Sequence, residues 1–225
     1  MIPVDPPREL TALAALARQA GLAVLAAACW PESTADQIPP PLPGFVASRF
    51  SPIVAEVAKR CLRRVPAREP ELVTAVVVVS ALGDVTSAAQ VAEAVDTGDR
   101  VWPLMFYQSV PNAVAGHVAA RRQLTGPIVS VAAAEAGIEV AALLLEDGDA
   151  DEVLVAEVDL EPPDAAAERG AAVLLSLRAR TASGRGAPGG AAGSGYGGGS
   201  GTVPDPGYSG PGDAPGSDPG SGGAR

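Results

Sequence analysis

Apolar positions along this chain recur in two rhythms. Where they return every three or four residues, they predict helices with one buried stripe; where they run unbroken over five to ten residues, they predict buried strands. Residues 10–19 are rich in Ala and Leu and predict a helix stopped at Gly21, and residues 22–29 form a short apolar strand. Residues 51–65 carry the clearest helical pattern. Ser51 suits the cap, Pro52 the first turn, and Val54, Val57, Cys61 and Val65 share a face, with Glu56 and Arg60 paired on the other side. Residues 72–82, LVTAVVVVSAL, are β-branched and apolar throughout, as in a strand covered on both faces. Helices follow over 84–95 (stripe Ala88, Val91, Ala92, Val95), 112–122 and 134–146 (stripe Ile138, Ala142, Leu145), with strands at 128–132, 152–158 and 171–177. No repeat of 20–50 residues interrupts the order. Strands alternating with helices define an α/β layered fold, a sheet with helices packed on it.

Two breaks punctuate the pattern. Residues 31–43, PESTADQIPPPLP, place four prolines in the five positions from Pro39 to Pro43, which excludes helix and central strand. They read as an extended surface connection, or alternatively as a proline-rich ligand for a partner's groove. From residue 183 to residue 225 the chain holds 17 of its 26 glycines and almost no aliphatic side chains, so the expectation is a disordered Gly/Pro/Ser-rich tail after a domain spanning 1–182. The tail contains GSGYGG from Gly193 to Gly198, a formal dinucleotide-binding pattern. It has neither a preceding strand nor a following helix, and so carries no meaning.

Composition narrows the function classes. Of 225 residues, 47% are hydrophobic and only 4% aromatic, so the core is built of small side chains in close layers; a domain of roughly 180 residues buries about 70% of its unfolded surface and needs no disulfides. A net charge of −10 argues against nucleic acid and against anionic membranes. Cys29 and Cys61 form neither a disulfide framework nor a metal spacing, and the single histidine, His117, excludes a multi-histidine metal site; no cofactor or metal is expected, and a reducing cytoplasm is. One exception concerns targeting. AGLAVLAAAC over 20–29 ends in Cys29 as a lipoprotein cleavage box does, but Asp5, Glu9, Arg18 and Gln19 spoil the leader, and the run is far shorter than the ~20 residues of a membrane span.

The stretch Ser109-Val-Pro-Asn-Ala-Val-Ala-Gly-His-Val118, followed by Leu124-Thr-Gly-Pro127, resembles the β-ketoacyl synthases, which carry an Asn-x-x-Ala-Gly-His helix and a Gly-Pro leading into the strand before the nucleophile. Residues 76–84 resemble that family's strand and glycine turn, and Gly148-Asp-Ala-Asp151 with the strand at 153–158 resembles its Gly-x-x-Asp turn and next strand. Pro43-Gly-Phe45 and Ser48-Arg-Phe-Ser-Pro52 suggest the short, divergent ketosynthase-like group found beside polyketide and fatty-acid gene sets. The resemblance covers residues 20–178 and implies half of a thiolase-like layered fold, a mixed sheet with helices on it. It also implies pairing through this half: a homodimer, or a heterodimer with an active ketosynthase, with an acyl carrier protein as a further partner.

The same resemblance implies a missing chemistry. Condensing enzymes need a thiolate at a helix N-terminus, where amide donors and the helix dipole favour the anion. In this chain the interval from Ile128 through Gly137 to the Gly-x-x-Asp turn contains no cysteine and is a few residues short, and the family's two histidines from its C-terminal half have no counterpart. Ser130 is the nearby nucleophilic side chain, but it sits on a strand with no activating base. Glu135 falls near the vacated position, as a decarboxylating substitute or as a helix cap. His117 matches the Asn-x-x-Ala-Gly-His histidine and is expected to be structural and partly buried, Gly116 to allow close helix–sheet packing, and Cys29 and Cys61 to act as buried hydrophobes. Trp102, Met105, Phe106 and Tyr107 read as core, interface patch or chain-binding surface. The implied function is a non-catalytic ketosynthase relative acting as a structural or regulatory partner. A malonyl decarboxylase or acyltransferase using Glu135 or Ser130, and a lipoprotein anchored through Cys29, are the alternatives.

Overall fold

The computed structural model describes residues 8–66, 72–160 and 168–178. The expected tail at 183–225 lies outside the described residues. The elements are, in order, α1 (Arg8–Gln19), β1 (Leu22–Trp30), α2 (Phe50–Leu62), β2 (Thr74–Val79), α3 (Val85–Asp96), α4 (Pro103–Gln108), α5 (Pro111–Arg122), β3 (Ile128–Val131), α6 (Ala134–Glu146), β4 (Glu152–Asp159) and β5 (Arg169–Leu177). The strands form one sheet in the order β1-β5-β4-β2-β3. β2, β3 and β4 are parallel, and β5 runs antiparallel to both its neighbours, β4 and β1. The expected α/β fold with a mixed sheet and covering helices is what forms.

Every residue of β2 is buried, as its unbroken valine run requires. Successive side chains point to opposite faces, so Val76 and Val78 join one core with Leu154, Ala156 and Leu174, under α2 and α5. Ala75, Val77 and Val79 join the other with Val153, Val155, Val173 and Leu175, under α1 and α6. Leu13 and Ala17 of α1 are fully buried there. Two glycines let backbone approach backbone or sheet. A Cβ on Gly137 of α6 would lie 2.6 Å from Val79 Cγ2, and one on Gly126 would lie 2.6 Å from the Thr74–Ala75 backbone. The close helix–sheet approach expected of Gly116 belongs to Gly137 instead, since a Cβ on Gly116 would meet nothing within 4 Å.

Several expectations shift in detail. The helix at 51–65 ends at Leu62, leaving Val65 beyond it, and the strand at 72–82 shrinks to β2, with Leu82 turned out to solvent. The stripe Ala88, Val91, Ala92 and Val95 does not enter the core: α3 buries only Ser87, and Val95 is 62% exposed. The six-residue α4, with Pro103 at its start, has no counterpart in the periodicity. Glu56 does not stand in solvent; it is 8% exposed and is held by Lys59 and by Arg60 Nε at 2.9 Å.

Arg60 ties the proline-rich connection to α2. Its guanidinium donates to both oxygens of Asp36 at 2.9 Å and lies 4.8 Å from the Trp30 ring. That hydrogen-bonded pairing holds the Asp36 carboxyl down at about 2. Asp36 in turn accepts from the amides of Glu32 (2.7 Å) and Ser33 (3.2 Å), so the connection opens as a pinned turn rather than a loose strap. Among the described residues no helix is long and apolar enough to cross a membrane.

The Gly137 approach gives a direct test. Gly137→Ala gains helix propensity but drives a methyl into Val79. It is expected to destabilise the domain by about 1–2 kcal/mol net, read as a lowered midpoint in urea unfolding with unchanged slope.

Candidate functional site

In parallel sheets the chemistry gathers at the carboxyl ends of the strands, beyond which the next helix begins. Here only Ala132 and Ala133 separate β3 from α6, and neither carries a nucleophilic side chain. The N-cap position is Ala133, and no side chain hydrogen-bonds the first turn of α6. Glu135 therefore lends that turn its negative charge but does not cap it by a hydrogen bond.

Carboxylates surround this end of the sheet. Asp159, at the end of β4, accepts from Ser80 Oγ at 3.0 Å and from the Ala81 amide at 2.9 Å, stitching β4 to the segment after β2. Two residues earlier, Glu157 continues the face of Val153 and Val155, towards α1 and α6. One of its oxygens, and one of Glu9 on α1, is buried with no hydrogen-bond partner. Burial first, then the negative charges of Asp159, Glu9 and Glu135, push the Glu157 carboxyl up to about 7. The charges of Asp159, Glu9 and Glu135 thus act on a buried carboxyl near the start of α6, an environment that disfavours a further anion. The sequence analysis passed over Glu157. The available signal was an acidic residue on the core-facing phase of Val153-x-Val155-x-Glu157.

The other candidates are dispersed. Ser130 faces the opposite side of the sheet from Glu157, and its hydroxyl donates to Asn112 Oδ1 of α5; no base accompanies it. His117 is partly buried on α5, with its ring edge-on to Phe45 at 5.7 Å. Burial and the charge of Arg121 lower its pKa, so it is neutral at pH 7. Cys61 is fully buried on α2. Cys29 is buried in β1 against the Pro31 carbonyl, and burial with the charge of Glu32 pushes its thiol up to about 11, which leaves no thiolate. Cleavage before Cys29 would remove α1 and nearly all of β1, which pairs with β5 along its length, so the lipoprotein alternative is incompatible with this fold. Among the described residues no group of three or more His, Cys, Asp and Glu is placed to hold a metal.

The aromatic cluster is not core. Trp102 is 57% and Phe106 62% exposed, and Leu104, Tyr107 and Val110 are exposed beside them. Gln108 anchors α4 from beneath by accepting from the Val46 amide at 3.4 Å. Val46, Ala47, Gln90, Trp102, Leu104 and Met105 line an open apolar hollow of about 450 Å³ between α3, α4 and the segment before α2.

The Glu157 geometry predicts a pH effect of definite sign. Below about pH 4.5 both folded and unfolded chains hold the proton; above it the unfolded chain ionises first, so stability falls as pH rises from about 4.5 towards 7. Glu157→Gln is expected to remove this slope. It should stabilise the protein at pH 8 by on the order of 1 kcal/mol, allowing for partial solvent screening, as read from urea unfolding at pH 5 and pH 8.

Comparison with known proteins agrees with this geometry. No curated protein matches the chain in sequence. Three solved structures show the fold. A ketosynthase in complex with its chain length factor from Xenorhabdus doucetiae is 17% identical, with 71% of this chain and 80% of that one covered and a TM-score of 0.57. The ishigamide ketosynthase/chain length factor is 18% identical, with 61% and 46% covered and a TM-score of 0.52. The ketosynthase from module 1 of the bacillaene synthase of Bacillus amyloliquefaciens FZB42 is 13% identical, with 71% and 42% covered and a TM-score of 0.52. This chain therefore spans less than half the length of the last two, with which it shares the fold. The family model for the β-ketoacyl synthase N-terminal domain matches residues 24–179, well over half of the sequence, and the chain belongs to that family.

Proposed function

We propose that this protein is a non-catalytic ketosynthase relative that serves as a structural or regulatory partner of an active ketosynthase in polyketide or fatty-acid assembly. The observation that carries the reading is the electrostatics at the N-terminus of α6. The charges of Glu9, Glu135 and Asp159 act on the buried Glu157 there, the link before the helix is two alanines, and both cysteines are buried elsewhere. Burial first, with those charges, holds the Glu157 carboxyl at about 7, and the same surroundings would disfavour a thiolate or an enolate. Ser130 and Glu135 lie on opposite faces of the sheet and cannot act on one substrate.

The partner reading is supported by the α3–α4 surface. Exposed Trp102, Leu104, Phe106, Tyr107 and Val110 make a patch that a solitary protein in water gains nothing by keeping, and aromatic and Met side chains are the ones enriched at interface centres. Two of the structures sharing the fold are described as ketosynthases with chain length factors, that is, as pairs of subunits. The occupant we assign to the patch is a ketosynthase subunit; a second copy of this chain is the alternative outcome. An acyl carrier protein would then approach the assembled pair rather than this chain alone.

The full chain, mixed with the ketosynthase encoded beside it, is expected to elute as a heterodimer in size-exclusion chromatography with light scattering. Phe106→Asp should weaken that complex at least tenfold while leaving the unfolding midpoint unchanged. A strictly monomeric protein that ignores the ketosynthase would overturn the proposal, and a homodimer broken by the same substitution would reassign the patch to self-pairing. Incubated with malonyl carrier protein, the chain should form no acetyl product by mass spectrometry. Acetyl formation that is lost in Glu135→Gln would restore the enzymatic alternative.

A further inference from the structure

On the face of the sheet away from the carboxylate cluster, α2 and α5 flank an open cleft of about 400 Å³. One wall is the rigid run Pro40-Pro41-Leu42-Pro43, and the floor includes Pro52, Ala55 and Val118. The wall is fixed rather than draped: a bridge joins Leu42 to Phe45, and the buried Phe45 ring packs edge-on against His117 at 5.7 Å. The rim carries Lys59, His117, Arg121 and Arg122. Glu56, the acidic residue of the lining, is already held by Lys59 and Arg60. Among the described residues, no carboxylate lies within ion-pairing distance of Arg121 or Arg122. Burial and the like charges of Arg63 and Arg121 lower the pKa of Arg122. Among the described residues Arg121 and Arg122 thus form no ion pair, with Glu56 acting on Arg122 only at longer range, beside a preformed apolar wall.

From this juxtaposition we infer that the cleft between α2 and α5 binds an organic phosphate, its head on Arg121 and Arg122 and its apolar body along the Pro40–Pro43 wall. Guanidinium forks match the oxygens of a dianionic phosphate, and Arg121 and Arg122 both reach the cleft from exposed positions on its rim. Cleft size and mixed lining suit a small amphiphilic molecule. The prolines add contact area that loses little entropy on binding. This inference stands apart from the ketosynthase-partner reading, since neither the α3–α4 patch nor the α6 N-terminus contributes to it.

His117 is the only histidine in the chain, so its ring protons report on the cleft without assignment ambiguity. The charges facing it are Arg121 and Arg122 on its own helix and Lys59 and Glu56 across the cleft on α2. Burial is the first cause of the lowered His117 pKa and the charge of Arg121 the second; a phosphate seated on Arg121 offsets the second, so the pKa should rise on binding. The experiment is a proton NMR titration of the full chain at constant ionic strength with n-octyl phosphate, inorganic phosphate, octanoate and octanol. Octyl phosphate is expected to raise the His117 pKa saturably and to bind at least tenfold more tightly than inorganic phosphate or octanoate, with octanol inert. The double substitution Arg121→Gln, Arg122→Gln alters exposed positions and should keep the thermal midpoint while weakening octyl phosphate at least tenfold. A shift that never saturates, equal affinity for phosphate with and without the octyl body, equal binding of octanoate, or undiminished binding by the double variant would each overturn the inference.

Discussion

A sheet whose central strand is apolar on both sides must be covered on both sides, and the rest of this molecule follows from that requirement. Val76 to Val79 are buried without exception, so α2 with α5 must close one face and α1 with α6 the other. Gly137 lets α6 lie so near the sheet that its first turn is held over the carboxyl ends of β2, β3 and β4. The chain supplies both coverings itself. α1 precedes the region matched by the family model, yet its Leu13 and Ala17 are among the most deeply buried side chains. The cover over Val173 and Leu175 therefore comes partly from a helix outside the shared family core.

That closed packing buries the Glu157 carboxyl near the start of α6, under the charges of Asp159, Glu9 and Glu135. A buried carboxyl with a free oxygen is tolerated because it keeps its proton until near neutrality, and the pair Ser80–Asp159 secures the strand ends without help from it. Two further features lie on the surface. The α3–α4 excursion between β2 and α5 offers a hydrophobic patch, and the α2–α5 cleft offers positive charge. Apolar cover is missing at the first of these places and, among the described residues, ion pairing at the second.

Much of the fold was legible in the sequence because period and composition agreed. The valine run announced β2, and strands β4 and β5 fell within two residues of their expected limits, but Ser51 does not cap α2: that helix starts at Phe50 behind Arg49, with no side-chain cap, and Ser51 lies buried inside its first turn. The failures have separate physical causes. The stripe of α3 is a genuine amphipathic pattern, but nothing of this chain covers it, so pattern alone could not say that Val95 would stay in water. α4 is too short to show a period. Glu56 and Arg60 form the expected i,i+4 pair, but whether such a pair faces solvent or a fold-back turn depends on Asp36, which the local window does not contain. Of the site, the absent cysteine was plain from the text. Glu157 was not, because its environment is assembled from α1, α6 and β4.

The order of the strands carries a consequence for how the protein is made. Among the described strands β1 pairs only with β5, the last of them in the sequence, and α1 also packs over that pair. During synthesis the segment LAVLAAACW leaves the ribosome early and then waits, unpaired and apolar, until Arg169–Leu177 emerges. Closure over so long a separation is intrinsically slow. A nascent chain stalled anywhere before β5 would present an open, sticky edge, and chaperones that shield such edges are the factors on which its yield in the cell should depend most.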